Sequence, residues 1–381
     1  MNNRLIKLIL GIVLMMTACT PRAATPNNAA TAISTNETGN FTRAINIRPF
    51  TFPADMGAHP EFQTEWWYYT GNLEAGDGQL FGYQLTFFRR ALTPADQIAL
   101  RSSQWGTNQV FMAHFALTDV NGREYLYTQK LQRGAAGLAG VTGDPSFQIW
   151  LDDWTVQQTG KGSYHLVANL NGGSLDVVLN DLKGFVLQGD HGLSQKGNEP
   201  GNSSYYFSQT RLETAGTLKI GNKSYPVNGN SWMDHEFSTS ALGKEQVGWD
   251  WFALQLNNQT ELMLYTIRKT DGTIDHFSGG TLIQADGTTR TLSLSDFKIE
   301  IISWWNSPHS KTRYPAGWNI SIPSENLTLV INPRLADQEL SVSFIYWEGA
   351  VEVHGQIKGK PLIGSGYVEL TGYAQSMQGQ F

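Results

Sequence analysis

The chain has one cysteine, Cys19, in 381 residues. An intramolecular disulfide is excluded, and so is a cysteine nucleophile in the body of the protein. Charge is sparse: 27 Lys and Arg against 33 Asp and Glu, a net charge of −6, with no basic run. Nucleic acid is therefore not expected as a partner. After residue 20 no apolar stretch is long enough to cross a bilayer as a helix. Gly-x-Ser-x-Gly is missing, and with it the nucleophile elbow of an α/β-hydrolase. His-Glu-x-x-His is missing and the eight His are scattered, so no metal is expected. A Gly-x-Gly-x-x-Gly phosphate loop is missing too, and no cofactor is expected.

What is abundant points one way. The 12 Trp, 14 Tyr, 18 Phe and 39 Gly suit an all-β protein with tight turns. Short alternating runs follow one another from Phe50. Glu65 to Leu73 and Leu80 to Arg89 flank Gly76-Asp77-Gly78, and Val110 to Val120 and Glu124 to Leu131 flank Asn121-Gly122. The best short helix is Ala91 to Ala99, opening at Thr93-Pro94. Such a succession of strands argues for sandwiches or barrels.

The N-terminus reads as a targeting segment. Arg4 and Lys7 precede an apolar run, Leu8 to Met16, that is too short for a stable span. Met16-Thr-Ala-Cys19 then resembles a bacterial lipobox, which makes Cys19 the expected lipidation site and the chain an exported lipoprotein of the periplasm or outer membrane. The boundaries expected are a signal peptide at 1–19, a disordered tether at 20–45, and two β domains at 46–240 and 241–376.

The stretch Gly229 to Leu256 is dense in aromatic, acidic and imidazole side chains. Alternation puts Trp232, Asp234 and Glu236 on one strand face and Met233, His235 and Phe237 on the other. In the next run Asp250 shares a face with Phe252, Leu254 and Leu256, while Trp249 and Trp251 point the opposite way. If these two runs pair as a hairpin bending near Leu242, His235 lies opposite Asp250.

An internal repeat runs through the chain. Trp66-Trp67-Tyr68-Tyr69 aligns with Trp249-Asp250-Trp251-Phe252, and Arg89 with Arg268. Gly229 to Asp234 aligns with Gly364 to Glu369. The chain thus reads as two copies of one meander divided near 238–245.

His59-Pro-Glu-Phe-Gln-Thr-Glu-Trp-Trp-Tyr-Tyr-Thr-Gly71, Trp232-Met-Asp-His-Glu-Phe237 and Gly248-Trp-Asp-Trp-Phe252 together resemble the carotenoid 1,2-hydratase/AttH-like family. The resemblance spans about 50 to 375 and implies two consecutive lipocalin-like antiparallel β-barrels. It implies hydratase chemistry on isoprenoid-type double bonds, with a His and an Asp that map to His235 and Asp250. It also implies a hydrophobic small-molecule partner and components of an ABC-type export system. Phe237 stands where those hydratases have Trp, and Gly248 where they have Tyr.

Alkene hydration needs a proton donor and a shielded carbocation. An acid among aromatic side chains would stay protonated near neutrality, which makes Asp250 the expected donor and His235 the expected base for water. Trp232, Trp249, Trp251 and Tyr68 are the expected aromatic walls. Asp234, Glu236, Phe237, Trp67, His114 and Glu369 complete the expected ligand contacts. The plainer readings make Asp250 a hydrogen-bond acceptor at the domain junction and the repeated acids Glu65, Asp234 and Glu369 bridges to Arg89 or Arg268. His114 then pairs with Tyr83 in a core, and Gly192 to Ser204 is an ordinary solvated loop rather than a rim. Two further function classes stand beside the hydratase: a lipophile carrier in the envelope, and a carbohydrate-binding or hydrolytic protein.

Overall fold

The computed structural model describes residues 40–94, 97, 103–239 and 242–378. Cys19, and residues 95, 96, 98 and 99 of the helix expected over 91–99, lie outside the described residues; Ala91 itself ends a strand. Strands β1 (Thr64–Ala75), β2 (Leu80–Ala91), β3 (Gln109–Asp119) and β4 (Glu124–Arg133) form an antiparallel meander. A second antiparallel meander follows, of β5 (Ala139–Thr142), β6 (Gln148–Leu151), β7 (Trp154–Gly160), β8 (Ser163–Leu170) and β9 (Gly173–Asp181). Two short pieces, β10 (Phe185–Leu187) and β11 (Leu193–Gln195), precede the long strands β12 (Ser203–Ile220) and β13 (Lys223–Ser238). The order across this sheet is β4-β3-β2-β1-β13-β12-β9-β8-β7-β6-β5, with β10 and β11 paired to β12.

The second sheet begins with β14 (Gln246–Leu256), β15 (Glu261–Lys269), β16 (Gly279–Ile283) and β17 (Thr289–Ser293). Then come β18 (Lys298–Asn306), β19 (Arg313–Ile322), β20 (Leu327–Pro333), β21 (Glu339–Ser341), β22 (Ile345–Ile357) and β23 (Lys360–Leu370). Its order, β17-β16-β15-β14-β23-β22-β20-β19-β18, repeats the pattern of the first sheet. β14 sits between β15 and β23 as β1 sits between β2 and β13. The repeat read from the sequence is thus a repeat of topology.

Each sheet curls round its own core. Trp67, Tyr69, Leu73, Phe207, Met233 and Phe237 fill the first barrel; Phe252, Leu254, Leu256, Trp318 and Val368 fill the second. The alternate residues of the same strands are also buried, because the outer faces of the two sheets pack on each other. Tyr68, Tyr206, Trp232, Trp251, Ala253 and Tyr367 form that middle layer. Burial on both faces explains why aromatic residues run consecutively through Trp66–Tyr69 of β1 and why most of β14 is apolar. Polar groups tie the layer together: Gln255 Nε2 donates to Thr210 O (2.7 Å) and Ser231 O (2.9 Å), and Glu261 accepts from Lys183 and Arg211 at 2.5 Å each.

The hairpin expected across Leu242 does not form. β13 pairs with β1 and β12, and β14 pairs with β15 and β23. A strand in the middle of a curled sheet already has a partner on each edge, so the short 239–245 connection crosses between sheets instead of turning back. The tether expected at 20–45 enters the described residues only at 40–45, and that part is docked. Phe41 and Ala44 are buried, Thr42 N donates to Glu61 O (3.0 Å), and the Ser203 hydroxyl donates to Ala44 O.

Candidate active site between the barrels

The face assignments made from alternation hold, and their consequences differ from the pairing expected. His235 points into the first barrel. It is fully buried, its ring lies 4.7 Å from that of Trp67, and its Nε2 is 2.8 Å from Glu65 Oε1. Asp250 points into the second barrel, where Arg268 Nε donates to it at 2.9 Å and the Tyr373 hydroxyl at 3.0 Å. The two residues therefore face away from each other, each inside its own module, and cannot act together on one alkene.

Both belong to structural charge clusters. Burial would raise the Glu65 carboxyl, but Arg89 and His59 hold it well below the usual carboxylate range. Burial would likewise depress His59, yet Glu65 and Asp55 hold its imidazolium up at about 9. Burial takes His235 down to about 4 against the pull of Glu65, so that ring is neutral. Glu65 pairs with Arg89 at 2.7 Å, as one sequence reading required, and in the second copy Arg268 takes Asp250 as its partner. Burial raises Asp250 against the opposing pull of Arg268 and Tyr373.

Ligand-type atoms of His59, Glu65 and His235 lie within 4.8 Å of one another, the spacing of a metal site. The donor set fits a metal poorly. Each His–Glu65 contact is a 2.7–2.8 Å hydrogen bond, and Arg89 already occupies the second carboxylate oxygen. An inserted cation would face that guanidinium.

The hollow suited to chemistry lies in the middle layer, a cavity of about 150 Å³ between the barrels. Its walls come from equivalent positions of the two copies. Trp66 and Tyr68 on β1 correspond to Trp249 and Trp251 on β14, and Asp234 on β13, opposite Tyr68, corresponds to Glu369 on β23, opposite Trp251. Packing the outer faces together thus brings the two repeated acids into one space. Neither pairs with Arg89 or Arg268. Glu236 joins them, with Lys196 Nζ at 3.2 Å and the Ser204 hydroxyl donating to it.

The two acids differ in their surroundings. Asp234 accepts three hydrogen bonds, from Tyr206 OH (2.7 Å), Ser208 Oγ (2.5 Å) and Trp232 Nε1 (2.7 Å). Burial nonetheless pushes it up to about 7, with Glu236 adding to the effect. Glu369 accepts a bond on Oε2, from Trp249 Nε1 at 2.7 Å. Burial pushes it to about 7 as well, against that bond and with help from the Asp234 and Glu236 charges. Behind Glu369, on the facing strand, Glu348 accepts from Tyr68 OH at 2.6 Å and is raised well above the usual range by burial and by Glu369. Negative charge is thus crowded among buried aromatic side chains, and protons are retained there near neutrality.

Of the expected ligand contacts, Tyr68, Asp234, Glu236, Trp249, Trp251 and Glu369 line the cavity. Trp232 stands behind Asp234, edge-on to Trp251 at 6.3 Å. Trp67 and Phe237 do not reach it; both face the first barrel's core, Trp67 donating to Met56 O and Phe237 stacked on His59 at 3.6 Å. His114 lies on the outer face of β3, 2.8 Å from Tyr346 OH, and burial depresses it to about 3. It shares no face with Tyr83, whose hydroxyl donates to Ser231 inside the first barrel. Tyr206, Tyr265 and Lys196 were missed. Alternation with Tyr205 and Phe207 could have exposed Tyr206. Lys196 lies on the Gly192 to Ser204 loop, which therefore does rim the site, its ammonium 4.6 Å from the centre of the Tyr265 ring.

Two lipocalin-like barrels in series, joined back to back over an acidic aromatic pocket, define the class. The AttH-like family model matches residues 43–373, and the chain belongs to that family. The crystal structure of a putative AttH from Nitrosomonas europaea is 32% identical, covers 87% of this chain and 100% of its own, and superposes with a TM-score of 0.77. Kievitone hydratase from Nectria haematococca shares the fold at 16% identity, 90% and 98% coverage and a TM-score of 0.65. CghA bound to Sch210972 does so at 12% identity, 82% and 89% coverage and a TM-score of 0.52. No curated protein sequence matches the chain.

Proposed function

We propose that the protein is a hydratase-type lyase that adds water across a double bond of an apolar, isoprenoid-like substrate held between the barrels. The carrying observation is Glu369, a carboxyl raised to about 7 on the wall of an aromatic cavity, with one oxygen fixed by Trp249. Its O–H protonates one alkene carbon. The positive charge that forms on the other carbon lies among Trp66, Trp249, Trp251 and Tyr68, whose faces stabilise a cation by about 0.5–2 kcal/mol each. The Asp234 and Glu236 carboxyls add negative charge close by. Water attacks the cation and returns its spare proton to the Glu369 carboxylate, so the residue ends as it began and the alkene gains one H and one OH. Kinship with a fold that includes a hydratase supports the reading. The roles first expected of Asp250 and His235 pass to residues on the opposite strand faces.

The test is incubation with acyclic and prenyl alkenes and detection of tertiary alcohols. Glu369→Gln keeps shape and removes the proton, and should lower turnover by about 10²–10⁴-fold while ligand binding persists. Bound lipophile with no product in the parent protein would instead make the pocket a carrier site. Turnover surviving in the Gln variant would remove Glu369 from the chemistry.

A further inference from the structure

One end of the molecule combines features that the active-site reading does not use. Across the first sheet the register Ser204–Ser238–Thr64–Arg90–Val110–Arg133 forms a single row at that end. Beyond the row lie the docked segment 41–47, residues 92–94 and 103–108 of the β2–β3 connection, and residues 239 and 242–245 between the sheets. The second barrel presents the same end, because the crossover leads straight from Ser238 to Gln246 and Met377 N donates to Val247 O there. The cavity lies against this end, with Ser238, Leu242 and Met377 among its lining.

Large apolar side chains are exposed on the same end. Ile45 is 54% exposed, Ile47 52%, Leu92 44% and Trp105 59%. None is loosely placed. Ala44 O and Asn46 O accept from Ser203 and Tyr205, holding Ile45 and Ile47 outward beside the β12 start. Leu92 N donates to Asn108 O at 2.7 Å, and Arg133 Nη1 donates to Trp105 O at 3.3 Å. Aliphatic side chains with a Trp at the rim suit the boundary between acyl chains and headgroups.

The course of the chain names the occupant. The described chain begins at this end, where Phe41 and Thr42 are fixed beside Glu61 and Thr239. A lipid on Cys19, the expected modification, would sit no more than about 75 Å along the chain from Asn40. An anchor leaving at the pocket end draws that end toward the bilayer.

We propose that this end docks on a lipid bilayer, with Ile45, Ile47, Leu92 and Trp105 entering the interface, and that the pocket draws its substrate from the leaflet. The inference rests on the lipophile-binding reading of the pocket for its second half only. The substrate class becomes a membrane-resident lipid rather than a water-borne one.

A chain with a single cysteine makes the test direct. In full-length protein carrying Cys19→Ser, cysteines introduced singly by Ile45→Cys, Trp105→Cys, Val178→Cys or Ile363→Cys are labelled with an environment-sensitive fluorophore. Vesicles of phosphatidylcholine and phosphatidylglycerol are then added. Val178 and Ile363 are 40% and 56% exposed and stand at the opposite ends of the two barrels, near the Glu74–Asn228 and Leu256–Gly364 pairs. Labels at 45 and 105 should brighten and shift to the blue, and those at 178 and 363 should not. Every labelled chain keeps the same N-terminus, so the leader's own affinity is common to all four and the readout is the difference between the labels. The Ile45→Ser/Ile47→Ser/Trp105→Ser variant should bind vesicles about tenfold or more weakly. An equal response at 105 and 363, or none at 105, overturns the docking. The readout is insertion and not turnover, so failure of the hydratase reading would leave it standing and would be seen separately, as no product even from micellar substrate.

Discussion

Replacing Asp234 with Asn should make the protein more stable, by an amount that depends on pH. The folded protein holds the Asp234 carboxyl at about 7 where 3.8 is ordinary, with burial as the main cause and the side chain only 4% exposed. Below 3.8 the group is protonated folded and unfolded alike and contributes no difference. Between 3.8 and about 7 the folded state alone retains the proton, so stability falls as pH rises through that window and levels off above it. The gap, at about 1.4 kcal/mol per pH unit, amounts to roughly 4 kcal/mol. Asn carries no charge, keeps an oxygen to accept from Ser208 and Trp232, and can donate to the Tyr206 oxygen. At pH 8 the variant should exceed the parent by roughly 2–4 kcal/mol, and at pH 4 by almost nothing. Urea unfolding of both proteins at four pH values from 4 to 8 measures this. A difference that stays flat with pH, or an Asn variant less stable than the parent at pH 8, would refute the claim that the pocket holds a costly buried charge.

The same reasoning yields four shorter expectations. The hydration rate should require protonated Glu369 and so decline about tenfold per pH unit above about 7, which a pH–rate profile checks. His235→Ala should lower stability by roughly 2–4 kcal/mol, through the void beside Trp67 and the lost bond to Glu65, yet leave ligand affinity in the pocket unchanged by fluorescence titration. Asp250→Asn should break the pair with Arg268 and cost about 3 kcal/mol, seen as a lower thermal midpoint, again without touching pocket affinity. Trp251→Ala removes a wall of the cavity and should weaken apolar ligand binding tenfold or more by the same titration.

Much of this was readable in the residues because side-chain alternation is a local property. The faces assigned to Trp232, Asp234 and Glu236, and to Trp249 and Trp251, are the faces the fold uses, and the Gly229–Asp234 match to Gly364–Glu369 marked two equivalent strands. What was not readable is which strand lies beside which. A short link such as 239–245 ordinarily predicts a hairpin, since neighbours in sequence are usually neighbours in a sheet. Here β1, paired across sequence separations of about 150–175 residues, takes the edge of β13 that β14 was expected to occupy. With that pairing gone, the side chains pointing to the imagined shared face, His235 and Asp250, end up inside separate barrels. The side chains assigned to the reverse face become the pocket.

The duplicated architecture explains why the site should contain two acids and why they need not be equal. Packing the outer faces of two like sheets places Asp234 and Glu369 in one low-dielectric hollow, where two negative charges are harder to maintain than one. Symmetry alone would share the remaining proton evenly. The hydrogen bonds break that symmetry: three donors converge on Asp234 and favour its anion, whereas the indole of Trp249 fixes one oxygen of Glu369. Burial holds both carboxyls at about 7, so on the proposed reading it is the hydrogen bonds that would place the proton on Glu369 and leave the carboxylate at Asp234 to draw positive character toward the aromatic wall. Tyr206→Phe and Ser208→Ala together remove two of the three donors. They should raise the Asp234 carboxyl further, move the proton onto it, and lower the hydration rate at pH 7 by about tenfold or more without loss of ligand binding. If the double variant instead hydrates as fast as the parent at every pH, the division of labour between the two acids is not what the hydrogen bonds dictate.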